Sequence, residues 1–453
     1  MSKETGIPLV VGGGGRESSL VHGYSKSPHV KRVISVPGND LMQDISEKPV
    51  KVYTKLRTTD INGILDVCKR EDVDLVDVAQ DNAVEVGLVD ALRQKGISVV
   101  GPTREAGRIE WSKAYARDMG RDMGLPQPDF RVFTTMIEGL RYILDQSEDR
   151  NWFAKADGLA EGKAVFPIEK KEEAEARIRE LRRRFPDAAR TYLIEEWIGR
   201  EQEPFEEGEE FSYFVITDGE TVRRLGAAQD QKRLYDGDKG PNTGGMGSSS
   251  PSFLVNKEID TITNNQIILP FLKHLWKLGL DYKGIIYLGA IYLPNRGKVY
   301  VVEWNARWGD PEAQVIVPGI TNDFYEMGQA VASGNLKRVD ITTDGKYRIA
   351  VAAVVKGYPY DHQRVRGKEI FGIDDAMKMD GITIYGAGVA KVDGRYYVNG
   401  GRLFYVVGEG SNPIEVRGKV YEAMKRIRVE GDNLRYRTDT GLKDAERFQD
   451  ENR

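Results

Sequence analysis

The sequence predicts a multidomain protein of mixed α/β and α+β class, and three observations carry that expectation. Over the first hundred residues, short β-branched runs alternate with helical patterns, as in a parallel sheet flanked by helices. From about residue 336 the pattern changes to short strands separated by glycine turns, which predicts a β-rich C-terminal part. The length, 453 residues, accommodates roughly three domains at about 150 residues each.

The elements follow in order. IPLVV, RVISV (32–36), DLVDVA (74–79) and ISVVGP (97–102) read as the strands of the first layer. The first of them ends in GGGGRES, where a strand leaves through glycines into a helix, and such a turn points backbone N–H groups at a potential anion. A phosphate site at Gly14, Gly15 and Arg16 and a tight turn without ligand both fit that pattern. A dinucleotide fingerprint does not, because its third glycine would fall on Ser18. Residues 103–124 read as one helix, ended by the glycine and two prolines of GLPQPDF, which mark a domain boundary. From 131 to 191 a compact unit is expected: a helix, the strand WFAKA, a glycine loop, the strand AVFPI, the charged helix KKEEAEARIRELRRRF and the strand TYLIEEW. Ala227 to Pro251 reads as a 25-residue polar loop without regular structure. Helices near 256–279 precede a hairpin, IIYLGAIYLPNRGKVYVVEWNAR, that turns at PNRG, and EVRGKVYEAMKRI reads as a final amphipathic helix.

Composition excludes several function classes. Hydrophobic residues make up 40% and charged residues 30%, so the chain is neither disordered nor collagen-like. With 66 Lys and Arg against 70 Asp and Glu, the formal net charge of −4 lacks the basic excess of a nucleic-acid binder. The single cysteine, Cys68, cannot close an intramolecular disulfide and reads as a small apolar helix residue, so a reducing cytoplasm is the expected setting. The start MSKETGIPLVV has no signal-peptide layout, and runs such as IAVAAVV (349–355) fall short of the ~20 residues of a membrane span.

Three segments could carry chemistry. In VEWNARWGDPEAQ, strand alternation puts Glu303, Asn305 and Arg307 on one face and Trp304 and Ala306 on the other. A carboxylate and an amide oxygen so spaced suit a hard cation such as Mg²⁺, although a half-exposed sheet face fits equally. In FAKADGLAEGKAVFP, Lys155 and Lys163 flank a glycine loop that can close over a polyphosphate. It is not a P-loop, since only three residues separate Gly158 from Gly162 and Ala164 stands where Ser or Thr would bind Mg²⁺. The polar loop combines Asp230, Lys232, Arg233, Asp236 and Asp238 with PNTGGMG, charged groups beside backbone that can approach a small ligand closely. His22, His29, His274 and His362 show no metal-binding spacing and are expected to be structural or surface residues.

Together these motifs resemble one family, the phosphoribosylamine–glycine ligases (glycinamide ribonucleotide synthetases) of the ATP-grasp superfamily. The resemblance spans nearly the whole chain: GGGGRE, PGN (37–39), SKAYARD (112–118), KADGLAEGK (155–163), QDQKR (229–233), DGDKGPNTGGMG (236–247), EWNARWGDPEAQ (303–314) and the C-terminal NGGRL and RYRTDTG. It implies an N-terminal α/β substrate-binding domain over 1–109, a central ATP-grasp subdomain over 110–130 and 192–335, a lid over 131–191 and a β-rich domain over 336–453. It also implies that ATP, glycine and 5-phosphoribosylamine give glycinamide ribonucleotide, ADP and phosphate through an acyl phosphate, with Mg²⁺ or Mn²⁺. The partners implied are these small molecules, not nucleic acid or membrane, for a monomer or weak homodimer.

Residue roles carry over by matching position. Lys113, Lys155 and Lys163 would meet ATP; Glu195 and Glu196 would form the adenine hinge; Glu209 or Glu210 would reach the ribose. Glu303 and Asn305 would be metal ligands, and Arg307 would face the acyl-phosphate oxygens, with Asp230 and Lys155 also catalytic. Asp230, Pro241, Asn242, Thr243, Gly244 and Gly245 would cradle glycine and the amine, while Gly14, Gly15, Arg16 and Asn39 would hold the sugar phosphate. This chain departs from the family pattern at Ser18, PGND, AQDNAVE (79–85), Gln231 and Ala164, and inserts REQEPFEE at 200–207. Three of these departures fall in the N-terminal part, so the alternative is an ATP-grasp ligase joining a carboxylate to a different amine.

Overall fold

A computed structural model describes residues 5–146, 151–160, 162–198, 200–202 and 205–452. The chain opens with five parallel strands: β1 (Pro8–Gly12), β2 (Val33–Pro37), β3 (Val50–Val52), β4 (Leu75–Val78) and β5 (Ser98–Val100), in the order β3-β2-β1-β4-β5. All of β1 and β4 is buried, Asp77 of β4 included, as expected of central strands in a sheet covered on both faces. Helices α1 (Gly15–Ser25), α2 (Ile61–Glu71), α3 (Asp81–Glu85) and α4 (Leu88–Gln94) connect the strands. Cys68 packs inside α2, where burial pushes its thiol up to about 12, so it behaves as the apolar residue expected.

His22 lies on the inner side of α1, its Nδ1 3.0 Å from the Tyr385 hydroxyl. Burial, with a smaller contribution from Lys26, lowers its pKa from 6.5 to about 3, so it is neutral in the fold. The unfolded chain binds that proton more readily, so stability falls as pH drops below 6.5 and levels off near 3. The slope is at most ~1.4 kcal/mol per pH unit. Urea unfolding of wild type and His22→Asn at pH 5 and 7 checks this; equal pH dependence in both proteins refutes it.

The single helix expected over 103–124 is two, α5 (Arg108–Trp111) and α6 (Lys113–Asp122), because Ser112 adopts an extended conformation and caps the second. Its hydroxyl accepts from the Tyr115 N–H, which competes with helical continuation. The lid contains α7 (Met136–Leu144), α8 (Ala174–Arg184) and the antiparallel strands β6 (Phe130–Phe133), β7 (Trp152–Ala156), β8 (Val165–Ile168) and β9 (Tyr192–Glu196), ordered β6-β9-β7-β8. Because β9 pairs with both β6 and β7, this sheet begins at Phe130 and reaches Glu196, within the expected strand TYLIEEW. As expected, α8 keeps its charges outward, burying Ala174, Ile178 and Leu181 against the sheet.

Beyond a short hairpin, β10 (Arg200–Gln202) and β11 (Phe205–Glu207), the chain builds a nine-stranded antiparallel sheet. Its strands include β12 (Glu209–Thr217), β13 (Val222–Asp230), β16 (Gly247–Ser250), β17 (Gly284–Leu293) and β18 (Lys298–Asn305). The expected structureless loop over 227–251 is therefore corrected: it comprises the end of β13, the small hairpin β14 (Arg233–Tyr235) and β15 (Lys239–Asn242), and β16. Helices α9 (Lys257–Ile262) and α10 (Leu269–Lys277) pack on this sheet, and the expected hairpin appears as β17–β18. The order continues through β19 (Tyr347–Val355), β24 (Arg402–Gly410) and β21 (Ile382–Gly386). β16 pairs with β19, Gly247 opposite Val351, so no break between sheets occurs at the expected boundary of 335/336. A separate small sheet contains β20 (Glu369–Phe371), β22 (Val389–Val392) and β23 (Arg395–Val398). Among the described residues, no helix is long and apolar enough to cross a membrane.

Candidate functional site

One cavity of about 1790 Å³ lies where the first sheet, the lid and the long antiparallel sheet meet. A single small-molecule pocket usually measures ~300–1,000 Å³, so this one has room for more than one ligand. Its wall includes Gly14, Arg16, Lys113, Lys155, Lys163, Glu195, Glu196, Glu209 and Glu210. Asp230, Asn242, Thr243, Gly244, Gly245, Glu303, Asn305 and Arg307 also line it. Gly15, Asn39 and Pro241 do not reach the wall.

The cationic side is anchored by burial and pairing. Lys155, at the end of β7, places Nζ 2.5 Å from Glu195 Oε2, and Arg117 of α6 donates to the same carboxylate at 2.8 and 3.1 Å. Arg117 also donates to the carbonyls of Val301 and Val302 at 2.9 and 2.6 Å, tying the lid strand β9 to β18. Burial alone would raise the Glu195 pKa, but Arg117 and Lys155 outweigh it and hold the carboxyl at about 2. Glu195 thus braces Lys155, and its neighbour Glu196 is less buried.

Opposite lies an acidic group around one lysine. Lys232 Nζ is 2.9 Å from Glu210 and 3.9 Å from Glu303. Glu312 accepts from Ser212 at 3.0 Å and Tyr287 at 2.7 Å. Burial, opposed by Lys232 and reinforced by Glu312, Glu210 and Glu303, pushes Asp230 up. Glu303 remains below the ordinary carboxylate range because Lys232, Lys113, Lys155 and Arg307 outweigh the cost of its burial. Its side chain still keeps 37% of its surface open to the cavity. The alternation predicted for β18 holds: Trp304 stacks on Phe271 of α10 at 3.8 Å, while Glu303 and Asn305 face the cavity. Among the described residues, one end of the buried Asn305 amide, the donor Nδ2, has no hydrogen-bond partner, an arrangement that an acceptor on a ligand can satisfy.

Arg307 is fixed by Glu110 at 2.9 Å and donates to the Trp308 carbonyl at 3.0 Å. Sequence reasoning missed Glu110, which also accepts the Ala306 N–H at 2.7 Å; no local motif joins residues 196 positions apart. Gln80, Asp81 and Asn82 line the cavity as well, although their segment was noted only as a departure from the family pattern. At the glycine turn, the Gly14 N–H is taken by Glu17 at 2.7 Å, and buried Arg16 donates to Glu17 at 2.5 Å and to the Trp308 carbonyl at 3.0 Å. Behind them, the Asn39 amide donates to Gly13, Ser18 and Gly386. Gly15 is wedged against Tyr405, where a side-chain carbon would lie 2.3 Å from the ring.

Glu209 pairs with Arg447 and accepts from Gln229 at 2.7 Å. Of the insertion at 200–207, residues 203 and 204 lie outside the described residues. Asp236 accepts the Thr438 N–H at 2.8 Å and does not reach the wall, whereas Asp238 lines the cavity and accepts from Arg437 at 2.7 Å. His362, expected to be structural or at the surface, lines the cavity.

Family models match consecutively: phosphoribosylglycinamide synthetase N domain over residues 8–110, ATP-grasp (A) domain over 111–313 and C domain over 348–443. The phosphoribosylamine–glycine ligase of Streptococcus pneumoniae is 35% identical over 441 residues, 96% of this chain and 99% of that protein. The trifunctional purine biosynthetic protein adenosine-3 of Bos taurus is 35% identical over 438 residues, but the chain spans only 42% of its length. The crystal structure of phosphoribosylamine–glycine ligase from Thermotoga maritima superposes with a TM-score of 0.76 at 29% identity, covering 96% of this chain and 99% of that one. A biotin carboxylase from Campylobacter jejuni shares the fold, with a TM-score of 0.69 at 14% identity over 96% of this chain and 94% of its own.

Proposed function

The chain belongs to the phosphoribosylglycinamide synthetase family of ATP-grasp ligases, and we propose from this that it ligates glycine to 5-phosphoribosylamine with cleavage of ATP, a step of de novo purine biosynthesis. The observation that carries the reading is the convergence, in one cavity, of three lysines with an acidic group at the end of β18. The enzyme acts on small molecules, in the cytoplasm, as a monomer or weak homodimer.

The donor chemistry suits a divalent cation. Asp230, Glu210 and Glu303 act on the ammonium of Lys232, and Glu312 acts on Asp230, so several carboxylates gather there, oxygen ligands of the type Mg²⁺ or Mn²⁺ prefers. Glu303 and Asn305 would hold such an ion, which when bound neutralises phosphate charge. Phosphoryl transfer depends mainly on positioning and electrostatics, and the side chains are suited to both. Lys155, braced by Glu195, and Lys163 and Lys113 hold the triphosphate between lid and sheet. Glu196 faces the adenine, and Glu209 or Glu210 the ribose. Glycine, its ammonium taken by Asp230 and its backbone cradled by the Asn242–Gly245 segment, attacks the γ-phosphorus through its carboxylate, and ADP leaves. Arg307 stabilises the negative charge on the acyl phosphate. The amine, oriented from the Gly14–Arg16 side, then attacks the acyl carbon, phosphate departs, and the amine loses a proton as the amide forms.

The test is ADP release with Mg²⁺-ATP, glycine and phosphoribosylamine generated in place, omitting each in turn, with the product identified by mass. A requirement for all three together with glycinamide ribonucleotide as product is expected. The second reading, a different amine, rests on Gln80, Asp81 and Asn82 lining the cavity in the segment that departs from the family. ATP cleavage that needs glycine but accepts another amine instead would select it.

A further inference from the structure

The substrate side of the cavity is shaped from the far end of the chain. Arg402, the first residue of β24, pairs with Val354 of β19 and extends its side chain across to the Thr243–Gly245 turn. Its Nη1 donates to the Gly244 carbonyl and lies 3.4 Å from the carbonyls of both Gly245 and Asp310. Its Nη2 binds the Asp310 carboxylate at 3.0 Å. The guanidinium lies flat against Gly244: a side-chain carbon there would sit 3.0 Å from Cζ and 3.1 Å from each Nη. From the turn that follows β19, the Tyr358 hydroxyl accepts the Gly244 N–H at 3.3 Å. One planar group thus spans two loops of the cavity wall, the turn at 243–245 and the segment at 310 that follows Arg307.

We propose that Arg402 is a positioning residue for the ligation reaction: it clamps the Thr243–Gly245 turn against Asp310 and so fixes the backbone that receives glycine and the amine. This deepens the ligase reading above and rests on it. A planar fork can reach carbonyls and a carboxylate together, which a lysine ammonium cannot. The absence of a side chain at Gly244 then has a specific cause, the need to admit the guanidinium face.

Two readouts test the clamp. In Arg402→Ala, hydrogen exchange of backbone amides in 240–247 is expected to accelerate while the lid strands keep wild-type rates. The KM for glycine or for the amine is expected to rise roughly tenfold to a hundredfold, as for lost charge-assisted hydrogen bonds, with the KM for ATP within about twofold. Gly244→Ala, whose methyl displaces the guanidinium, should give the same signature and serves if Arg402→Ala does not fold. Unchanged exchange over 240–247 overturns the proposal whatever the activity, as does a KM for ATP that rises in parallel with the others. A wild-type enzyme without glycine-dependent ATP cleavage overturns the ligase reading instead, and the exchange measurement still decides for or against the clamp.

Discussion

Glu303→Ala is expected to lower turnover by ~10³-fold or more, because the metal and the charge it neutralises contribute several kcal/mol to phosphoryl transfer. The same substitution should leave the fold intact. Glu303 ends its side chain in the open part of the cavity, and its ion pair with Lys232 is 3.9 Å long. Such a partly solvated pair contributes ~0–1 kcal/mol to stability. Lys232 does not lose its counterion either, since Glu210 remains at 2.9 Å. A raised metal requirement should accompany the loss, so turnover should recover in part at high Mn²⁺. Steady-state ADP release and thermal unfolding, measured side by side, decide the matter. Turnover within tenfold of wild type would remove Glu303 from the metal site, and a large drop in melting temperature would mean that the loss of activity reports on folding.

What the sequence made legible was local. Period-2 alternation put Glu303 and Asn305 opposite Trp304, and the packing of Trp304 on Phe271 bears this out. The alternation of β-branched runs with helical patterns announced a parallel sheet, and β1 and β4 are buried throughout. Pairing across long separations left no such trace. β16 is a run of glycine and serine, with no apolar pattern to mark it as a strand, and it joins the two halves of the long sheet only because β19 lies beside it. The hairpin inside the polar stretch was hidden likewise by its charged residues. In the site, residues next to a recognisable motif were found, whereas those that hold the motif in place were not. Glu110 and Arg117 lie in helices whose own pattern asks only for a polar face; their partners, Arg307 and Glu195, arrive from other parts of the chain. Asn39 failed in the opposite way: it belongs to a motif, but its amide is used to fasten the first sheet to Gly386.

The Lys155–Glu195–Arg117 group carries the other large effect. Glu195→Gln leaves two buried cations without their shared counterion, and breaking a buried pair from one side costs ~3–5 kcal/mol. Lys155→Met is expected to cost far less stability, because Glu195 keeps both contacts with Arg117, at 2.8 and 3.1 Å. For ATP the order reverses. On the proposed ATP site, losing the Lys155 ammonium would remove a charged contact to phosphate, worth roughly tenfold to a hundredfold in affinity. Glu195→Gln keeps the ammonium but frees it to move, so ATP affinity should fall by less. The double variant separates the terms. With Lys155 already neutral, Glu195→Gln strands one cation rather than two, and its stability cost should shrink by an amount well outside the ~0.5 kcal/mol expected of independent sites. Acid titration adds a check on the same carboxylate: because its pKa is depressed from 4.5 to about 2, its contribution is complete above pH 4.5 and is lost as pH falls toward 2. Chemical unfolding of the four proteins, with ATP binding by calorimetry, closes the cycle. Strict additivity would mean that Lys155 does not depend on Glu195 for its place, and the lid would then need another explanation for how it holds a phosphate-binding lysine against the sheet.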